Sequence, residues 1–259
     1  MKPGRVLLQV RGLSKFYGER VGCERVSFDL FPGEVLCIAG ESGSGKSTLL
    51  QTLAYELRPD AGAVHYDLSG RGLTDLSGLP DSTLRELWRT DWGFVRQNPR
   101  DGLRMRVSAG ANIGERLMAI GERHYGDIRV QAQDWLQRVE IDDTRLDEAP
   151  TSFSGGMQQR LQIARNLVTR PRLVFMDEPT AGLDVSVQAR FLDLLRRLTA
   201  ELRLAVILVT HDLAVARLLA QRLIVMRHGR IVETGLTDQV LDDPQHPYTQ
   251  LLVSSVLAA

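Results

Sequence analysis

The sequence predicts an α/β fold with a mostly parallel core sheet, a small antiparallel β-subdomain near the N-terminus and an inserted helical subdomain. Short apolar runs alternate with stretches of helical periodicity, a pattern typical of strands buried on both faces of a parallel sheet. One such run, residues 35–39, leads through a glycine-rich loop into a helix. Residues 107–139 have helical spacing, interrupted around Gly121 and Gly126, and carry no strand pattern. We therefore expect this block to be helical throughout.

The individual elements are predicted from alternation and from apolar runs. Residues 5–10 alternate weakly, as in an edge strand, and residues 26–30 alternate ahead of the Pro32-Gly33 turn. Residues 58–80 are rich in Gly, Asp, Ser and Pro, which predicts a loop-heavy insertion with one short strand near 64–66. Apolar runs predict further strands at 35–39, 93–96, 173–176, 205–209, 223–226 and 229–232. Helical spacing predicts helices at 82–89, 157–169 and 185–202.

Composition limits the classes of protein to consider. The chain has 259 residues, 43% of them hydrophobic and 25% charged, which fits a globular protein with one large domain or a domain and a subdomain. The formal net charge is zero, so no global basic surface for nucleic acid is expected. No apolar run approaches a membrane span or a signal-peptide core, so we expect no membrane insertion and a cytoplasmic location. Cys23 and Cys37 are expected to be reduced thiols.

The loop after residues 35–39 matches the phosphate-binding pattern G-x-x-x-x-G-K-[ST] in its required strand–loop–helix context. The residues predicted to bind nucleotide here are Gly40, Glu41, Ser42, Gly43, Ser44, Gly45, Lys46, Ser47 and Thr48. Lys46 can reach the β- and γ-phosphates, and the Ser47 hydroxyl can ligate Mg²⁺. Of 32 basic residues only three are lysines, so a lysine at 46 indicates a need for a compact ammonium group. A flexible Gly/Ser loop is the alternative, and the motif in its context favours the phosphate site.

Four polar residues follow predicted buried strands and are candidates for hydrolysis. Asp177 and Glu178 end the run at 173–176, where ligands of an α/β sheet bind. Asp177 fits a role in holding Mg²⁺, directly or through water, and Glu178 could polarise the attacking water. His211 could contact the γ-phosphate, and the Gln97 amide could bridge Mg²⁺ and water. Taken singly, His211 and Gln97 are more often loop or packing residues, and an isolated Asp-Glu pair is more often a strand cap.

Tyr17 is a candidate for contact with the nucleotide base. It lies in residues 13–18, a segment that ends in a turn, and an aromatic ring there could stack on a purine, whose face is a π-system. The alternative is a half-buried aromatic side chain that packs beside the turn. The residue alone does not decide between the two.

The segment from Phe153 to Arg160 is predicted to be a glycine turn that opens a helix, hence a second anion site. With the other motifs, it resembles the signature of the ABC ATPase family, which other phosphate-loop ATPases lack. The resemblance covers nearly the whole chain and implies that Ser154, Gly155 and Gly156 bind ATP held by the opposite protomer. It also implies that Asp184, in a segment like the family's D-loop, lies at the dimer seam.

One residue departs from the family pattern. Many members carry Gln where this chain has Met157. The backbone donors of the turn are unaffected by this change. A side-chain contact made by the Gln is not expected here.

Within the family, the chain resembles the ABC-type subunits of the bacterial carbon–phosphorus lyase complex, which degrades organic phosphonates. The resemblance rests on residues 101–104, 108–117, 124–129, 153–160 and 242–248. The alternative is an ATP-binding subunit of an oligopeptide or dipeptide importer, because residues 246–249 also resemble the tails of those proteins. The segment after Gln97 is of the lyase type, so we rank the lyase first.

The resemblance implies a domain organisation and a set of partners. Residues 1–97 and 159–235 are assigned to the nucleotide-binding core, 98–158 to the helical subdomain and 236–259 to a C-terminal tail. The implied cofactors are ATP and Mg²⁺, and the implied partners are the lyase core and a second ABC chain, in a homodimer or heterodimer. A DNA-repair or translation ABC protein is disfavoured by the neutral charge and by the lack of a second cassette. A non-enzymatic scaffold is disfavoured because Lys46, Glu178 and His211 are all present.

Overall fold

The computed structural model describes residues 5–257. Residues 1–4 of the predicted core and residues 258–259 of the predicted tail lie outside this range. The chain divides into two compact units, the first formed by Met1–Leu84 with Arg203–Ala259 and the second by Arg85–Leu202. The functional division into core, helical subdomain and tail is a different partition, and it stays a prediction.

The secondary structure alternates strands and helices along most of the chain. The strands within residues 5–257 are β1 (Leu8–Tyr17), β2 (Arg20–Leu30), β3 (Val35–Ala39), β4 (Ala61–Asp67), β5 (Leu73–Asp75), β6 (Trp92–Val95), β7 (Leu173–Asp177), β8 (Ala205–Thr210), β9 (Arg222–Arg227) and β10 (Arg230–Leu236). The α-helices in the same range are α1 (Lys46–Leu53), α2 (Asp81–Thr90), α3 (Pro99–Gly102), α4 (Ala109–Ala119), α5 (Tyr125–Arg138), α6 (Gly155–Leu167), α7 (Val185–Leu202), α8 (Leu213–Leu219), α9 (Thr237–Asp242) and α10 (Pro247–Leu257). Among these residues, no helix combines the length and apolar character needed to cross a bilayer.

The first unit contains an antiparallel sheet with strand order β2-β1-β4-β5. β1 pairs on both sides, since Leu8 lies opposite Leu30 of β2 and Tyr66 of β4. The prediction that residues 5–10 form an edge strand is therefore wrong. Weak alternation cannot reveal a second partner that lies more than fifty residues further along the chain. The small antiparallel subdomain itself is confirmed.

The first unit also contains strands β10-β9-β3-β8, in that order. β3 is parallel to both β8 and β9, and all five of its residues are buried. β10 pairs with β9 in the antiparallel sense. The predicted mostly parallel character is thus confirmed for these strands, and β3 presents the start of the glycine loop at its carboxyl end.

The second unit contains the parallel pair β6 and β7 and most of the helices. Trp88, Trp92, Phe94 and Phe175 form an aromatic cluster around this pair, with ring centroids 5.5 to 6.5 Å apart. Close aromatic pairs add to the apolar burial that stabilises a core.

The helical block of the second unit follows the prediction closely. Within residues 98–158, as described, helices and short 3₁₀ turns occur without strands. The predicted break near Gly121 separates α4 from α5, whereas Gly126 lies inside the first turn of α5.

Candidate functional site

The phosphate loop is shaped by the strands that surround it. Gly45 precedes α1 with φ of 101°, a left-handed conformation that favours glycine. A β-carbon on Gly45 would collide with the carbonyl oxygen of Gly22 in β2. On the other side, the Gly229 N–H donates to the Ser44 carbonyl at 2.9 Å. The loop is therefore held between β2 and the turn joining β9 to β10, with the N-terminus of α1 opening into it.

Two side chains inside the loop fit the binding of a phosphate group. Lys46 is only 6% exposed, and its Nζ donates to the carbonyls of Gly40 at 2.7 Å and Glu41 at 2.9 Å. The Ser44 Oγ is buried and has no hydrogen-bond partner among the described residues. Buried polar atoms are normally paired, so an unpaired hydroxyl in a glycine loop at the N-terminus of α1 fits an anionic ligand.

Tyr17 and Thr48 lie beside the start of α1. A β-carbon on Gly22 would be 2.7 Å from Thr48 Cγ2 and 3.0 Å from Tyr17 Cε2, so both side chains flank this glycine. Tyr17 is 48% exposed, which leaves part of its ring open to solvent. This arrangement is compatible with both a base-stacking and a packing role.

His211 lies at the same sheet edge as the phosphate loop. Ala39 of β3 pairs with Thr210 of β8 in parallel register. Gly40 and His211 are the next residues after this pair, so both lie at the carboxyl ends of neighbouring strands. The next residue, Asp212, caps α8 by accepting from the Ala214 N–H at 2.8 Å. His211 is exposed, so its imidazole is accessible at this edge.

The carboxylate pair and Gln97 lie at the corresponding edge of the second unit. Val95 of β6 pairs with Met176 of β7 in parallel register. Asp177 comes one residue after Met176, and Gln97 comes two residues after Val95. Glu178 has φ of 43°, a left-handed conformation that side chains other than glycine rarely adopt. Its carbonyl accepts from the Ala181 N–H at 3.0 Å, which closes a turn after the strand.

The glycine turn predicted at 153–160 does open a helix. Ser154 caps α6 by accepting from the Met157 N–H, and Gly155 is exposed with open space around its Cα. Gly156 packs against α7, where a β-carbon would come within 2.7 Å of a Val187 methyl group. The first turn of α6 is therefore open to solvent at Gly155, and the N-terminus of a helix favours binding of an anion.

Three predicted segments of the second unit meet around one cleft. Its walls include Asn98, which follows Gln97, and Gly155 of the turn. They also include Gly182 and Leu183, from the segment between Glu178 and Asp184. Asp184 itself caps α7, and the Val187 N–H holds the pKa of this carboxyl below its ordinary value.

Two buried glutamines of α6, Gln159 and Gln162, were not predicted from the sequence. Gln159 Nε2 donates to the Pro179 carbonyl at 2.9 Å, directly after Glu178. Gln162 Oε1 accepts from the Arg96 N–H at 2.6 Å, directly before Gln97. The two amides also bond each other at 3.1 Å. Buried side-chain amides whose hydrogen bonds are all satisfied are rigid. This network therefore fixes the backbone beside the two candidate residues Glu178 and Gln97. The sequence signal for this network was the spacing of the two glutamines, three residues apart and so on one face of a helix.

Met157, the departure from the family pattern, points towards Arg145. The Arg145 guanidinium donates to the Met157 sulfur at 3.3 Å and lies over the Phe153 ring at 4.6 Å. The Met157 thioether is therefore used in a contact with Arg145 inside the helical block.

The chain is similar to known proteins along nearly its whole length. A family model described as ABC transporter matches residues 23–181, and one described as the C-terminal region of oligopeptide/dipeptide transporters matches residues 232–259. PhnK of Escherichia coli (strain K12), an ATP-binding protein named for phosphonates utilization, is 65% identical over 97% of this chain and 98% of its own. The peptidoglycan transport ATP-binding protein YejF of Agrobacterium fabrum (strain C58) is 39% identical over 96% of this chain and 47% of its own.

Solved structures agree with these matches. The dimeric bacterial ABC transporter cassette MJ0796 superposes with a TM-score of 0.80 at 30% identity, covering 89% of this chain and 99% of that one. The same cassette, in a dimeric post-hydrolysis state with ADP and phosphate, gives a TM-score of 0.79 at 29% identity, with the same shares covered. The fold, the motifs and the matches lead to one conclusion: this chain belongs to the ABC ATPase family, whose cassettes bind and hydrolyse ATP.

Proposed function

We propose that this chain is the ATP-hydrolysing subunit of a carbon–phosphorus lyase complex and acts in the cytoplasm in the breakdown of organic phosphonates. The observation that supports this most is the 65% identity, over 97% of the chain, to a protein named for phosphonates utilization. The chain spans 98% of that relative, so the likeness extends over the helical block as well as the nucleotide motifs.

The proposed chemistry assigns a role to each candidate residue. The loop from Gly40 to Thr48 binds the phosphates of ATP, and Tyr17 stacks on the base. The donor set for Mg²⁺ consists of the Ser47 hydroxyl, the Gln97 amide oxygen and the Asp177 carboxylate, which are the hard oxygen ligands this cation prefers. Mg²⁺ supplies charge neutralisation at the phosphates. Glu178 polarises the attacking water, and His211 contacts the γ-phosphate.

We further propose that two protomers form composite sites, as a homodimer or with a second ABC subunit. Ser154, Gly155 and Gly156 of one protomer bind the ATP held in the loop of the other, and Asp184 lies at the seam. The exposure of Gly155 at the start of α6 supports this role, because the N–H groups of a helix N-terminus can donate to a phosphate that arrives from outside the chain.

The surface proposed to dock on the lyase core is residues 98–128. Arg100, Arg104, Arg106 and Arg123 are exposed there, and Met118 is 45% exposed. Arginine and methionine are enriched in protein interfaces. Arg116 does not belong to this surface, because its guanidinium is buried and donates to the carbonyls of Trp88 and Trp92.

Docking would couple the ATP cycle to the lyase core. Gln97 precedes this surface, so a change at the γ-phosphate can be transmitted through the Arg96–Gln162 contact to the helical block. Closure of the dimer would then shift the attached core and open it for substrate entry or product release.

The test reverses charge at Arg104 and Arg106. The double variant should lose co-purification with the lyase core and growth on a phosphonate as sole phosphorus source, while its basal ATPase activity stays unchanged. Arg196→Glu is a matched control, because Arg196 is 62% exposed and pairs with Asp193 much as Arg104, 64% exposed, pairs with Glu115. Unchanged binding and growth in the double variant would remove residues 98–128 as the docking face.

A second candidate function is the ATP-binding subunit of a peptide importer. The match of residues 232–259 to the C-terminal region of oligopeptide/dipeptide transporters favours it. The same co-purification decides between the two: recovery of a membrane permease with the wild-type chain, instead of a lyase core, would establish the importer.

A further inference from the structure

A tyrosine near the C-terminus contacts the phosphate loop. Tyr248, in the first turn of α10, is 3% exposed, and its Oη accepts a hydrogen bond from the Glu41 N–H at 3.1 Å. The two residues are 207 positions apart in the chain. None of the motifs that define the nucleotide site includes this residue.

The peptide group involved is also held at its other end. The Gly40 carbonyl and the Glu41 N–H belong to one peptide group, and Lys46 Nζ donates to that carbonyl at 2.7 Å. Gly40 has φ of 152°, and a β-carbon there would collide with the Met226 carbonyl oxygen. Glycine offers little intrinsic preference for one orientation, so these two hydrogen bonds set the direction of the peptide group.

Tyr248 is in turn fixed by a series of contacts within the first unit. The Arg227 guanidinium lies over the Tyr248 ring at 4.8 Å, and the backbone N–H of Tyr248 donates to His246 Nδ1 at 3.1 Å. The Glu233 carboxylate of β10 accepts from the N–H groups of Gln245 at 2.8 Å and His246 at 3.0 Å. The segment leading into α10 is thus anchored to β10 before it reaches the loop.

We propose that Tyr248 is a positioning residue for the phosphate loop. Its hydroxyl orients the peptide group between Gly40 and Glu41, and through the Gly40 carbonyl it sets where the Lys46 ammonium lies when nucleotide arrives. This inference rests on the proposed role of the loop as the ATP site. A phenylalanine would fill the same space, so the hydroxyl contributes only this orientation.

The test is Tyr248→Phe, assayed for steady-state ATP hydrolysis. Loss of one neutral hydrogen bond to the loop should raise KM for ATP by about two- to tenfold. Because the bond is remote from the water that attacks, kcat should stay within about twofold of wild type. A purely structural defect would lower the active fraction, hence kcat, and would leave KM unchanged.

Two controls separate the hydroxyl from general damage. Leu251→Ala alters the same helix at a side chain 62% exposed, and Tyr125→Phe removes a hydroxyl from a side chain 72% exposed. Both should keep the wild-type KM. Glu233→Gln weakens the anchor of the segment and should raise KM in the same direction as Tyr248→Phe, which gives a second route if one variant folds poorly.

The outcomes distinguish this inference from the proposed function. A wild-type KM in both Tyr248→Phe and Glu233→Gln overturns the positioning role, whereas a wild-type chain that does not hydrolyse ATP contradicts the proposed function itself. A rise in KM confined to Tyr248→Phe and Glu233→Gln, with both controls normal, supports the inference.

Discussion

Glu178 directly follows strand β7 and has an unusual backbone conformation. Its φ of 43° places a non-glycine residue in the left-handed region, at a cost of the order of 1–3 kcal/mol. The turn bond from the Ala181 N–H and the Gln159 bond to the Pro179 carbonyl hold this conformation. Such strain persists where the surrounding structure imposes it.

The residue-scale prediction concerns Glu178→Gln. The amide cannot polarise water, so the hydrolysis rate should fall by about 10²–10⁴-fold while ATP still binds. The variant should accumulate as an ATP-bound dimer, seen by size-exclusion chromatography with ATP present. Glu201→Gln, at an exposed carboxylate paired with Arg138, is the control and should hydrolyse normally. Near-normal turnover by purified Glu178→Gln would remove this residue from the role.

The backbone of a loop is predictable where a short motif fixes it, while the nucleotide-binding role of its residues stays a prediction. The loop from Gly40 to Ser47 is of this kind, since its glycines, lysine and hydroxyl lie within eight positions. Gln159 and Tyr248 were not predictable, because their partners lie 20 and 207 residues away. Only tertiary packing brings such groups together, and no local pattern encodes it.

At the scale of elements, Arg116 ties α4 to the aromatic cluster. Its guanidinium donates to the Trp88 carbonyl at 2.6 Å and the Trp92 carbonyl at 2.9 Å. Burial, together with the nearby charge of Arg165, lowers the pKa of Arg116 to about 10, which still leaves it protonated at neutral pH. The two terminal nitrogens of this charged side chain therefore join the helical block to β6, while its buried Nε has no hydrogen-bond partner among the described residues.

Arg116→Met tests this connection. Removing the donors leaves two carbonyls less well satisfied, so the free energy of unfolding should fall by about 1–3 kcal/mol. Urea titration followed by tryptophan fluorescence measures it, since Trp88 and Trp92 flank the site. Arg123→Met is the matched control, because the exposed Arg123 guanidinium also donates to a carbonyl, that of Met118, and its loss should cost less than about 0.5 kcal/mol. Equal effects of the two substitutions would contradict the special role of Arg116.

Elements were predictable in proportion to the strength of their local pattern. β3, β7 and β8 are continuous apolar runs and were placed correctly. β5 has three residues, too few for a pattern, and was missed. The helices α8, α9 and α10 were also missed, because turn-like polar residues separate short segments there. Sheet neighbours were the least predictable feature, as the two partners of β1 illustrate.

At the scale of the whole molecule, the nucleotide motifs are distributed over both units. Lys46 belongs to the first unit, whereas Ser154 and Glu178 belong to the second. The sequence could predict the family from these motifs, but not the partner, because a docking surface is defined by the shape and chemistry of another molecule. The central claim is that each ATP is bound by the loop of one protomer and the glycine turn of the other.

Mixing two inactive variants tests this claim most directly. Lys46→Ala should lose nucleotide binding, and Ser154→Arg should bind ATP without hydrolysing it. A heterodimer of the two contains one site with both wild-type residues and one site with both substitutions. If protomers assort randomly and sites act independently, ATPase activity should peak at equal mixing, at roughly a quarter of the wild-type rate. No recovery at any ratio, with heterodimers demonstrated by differential tagging, would contradict the composite site.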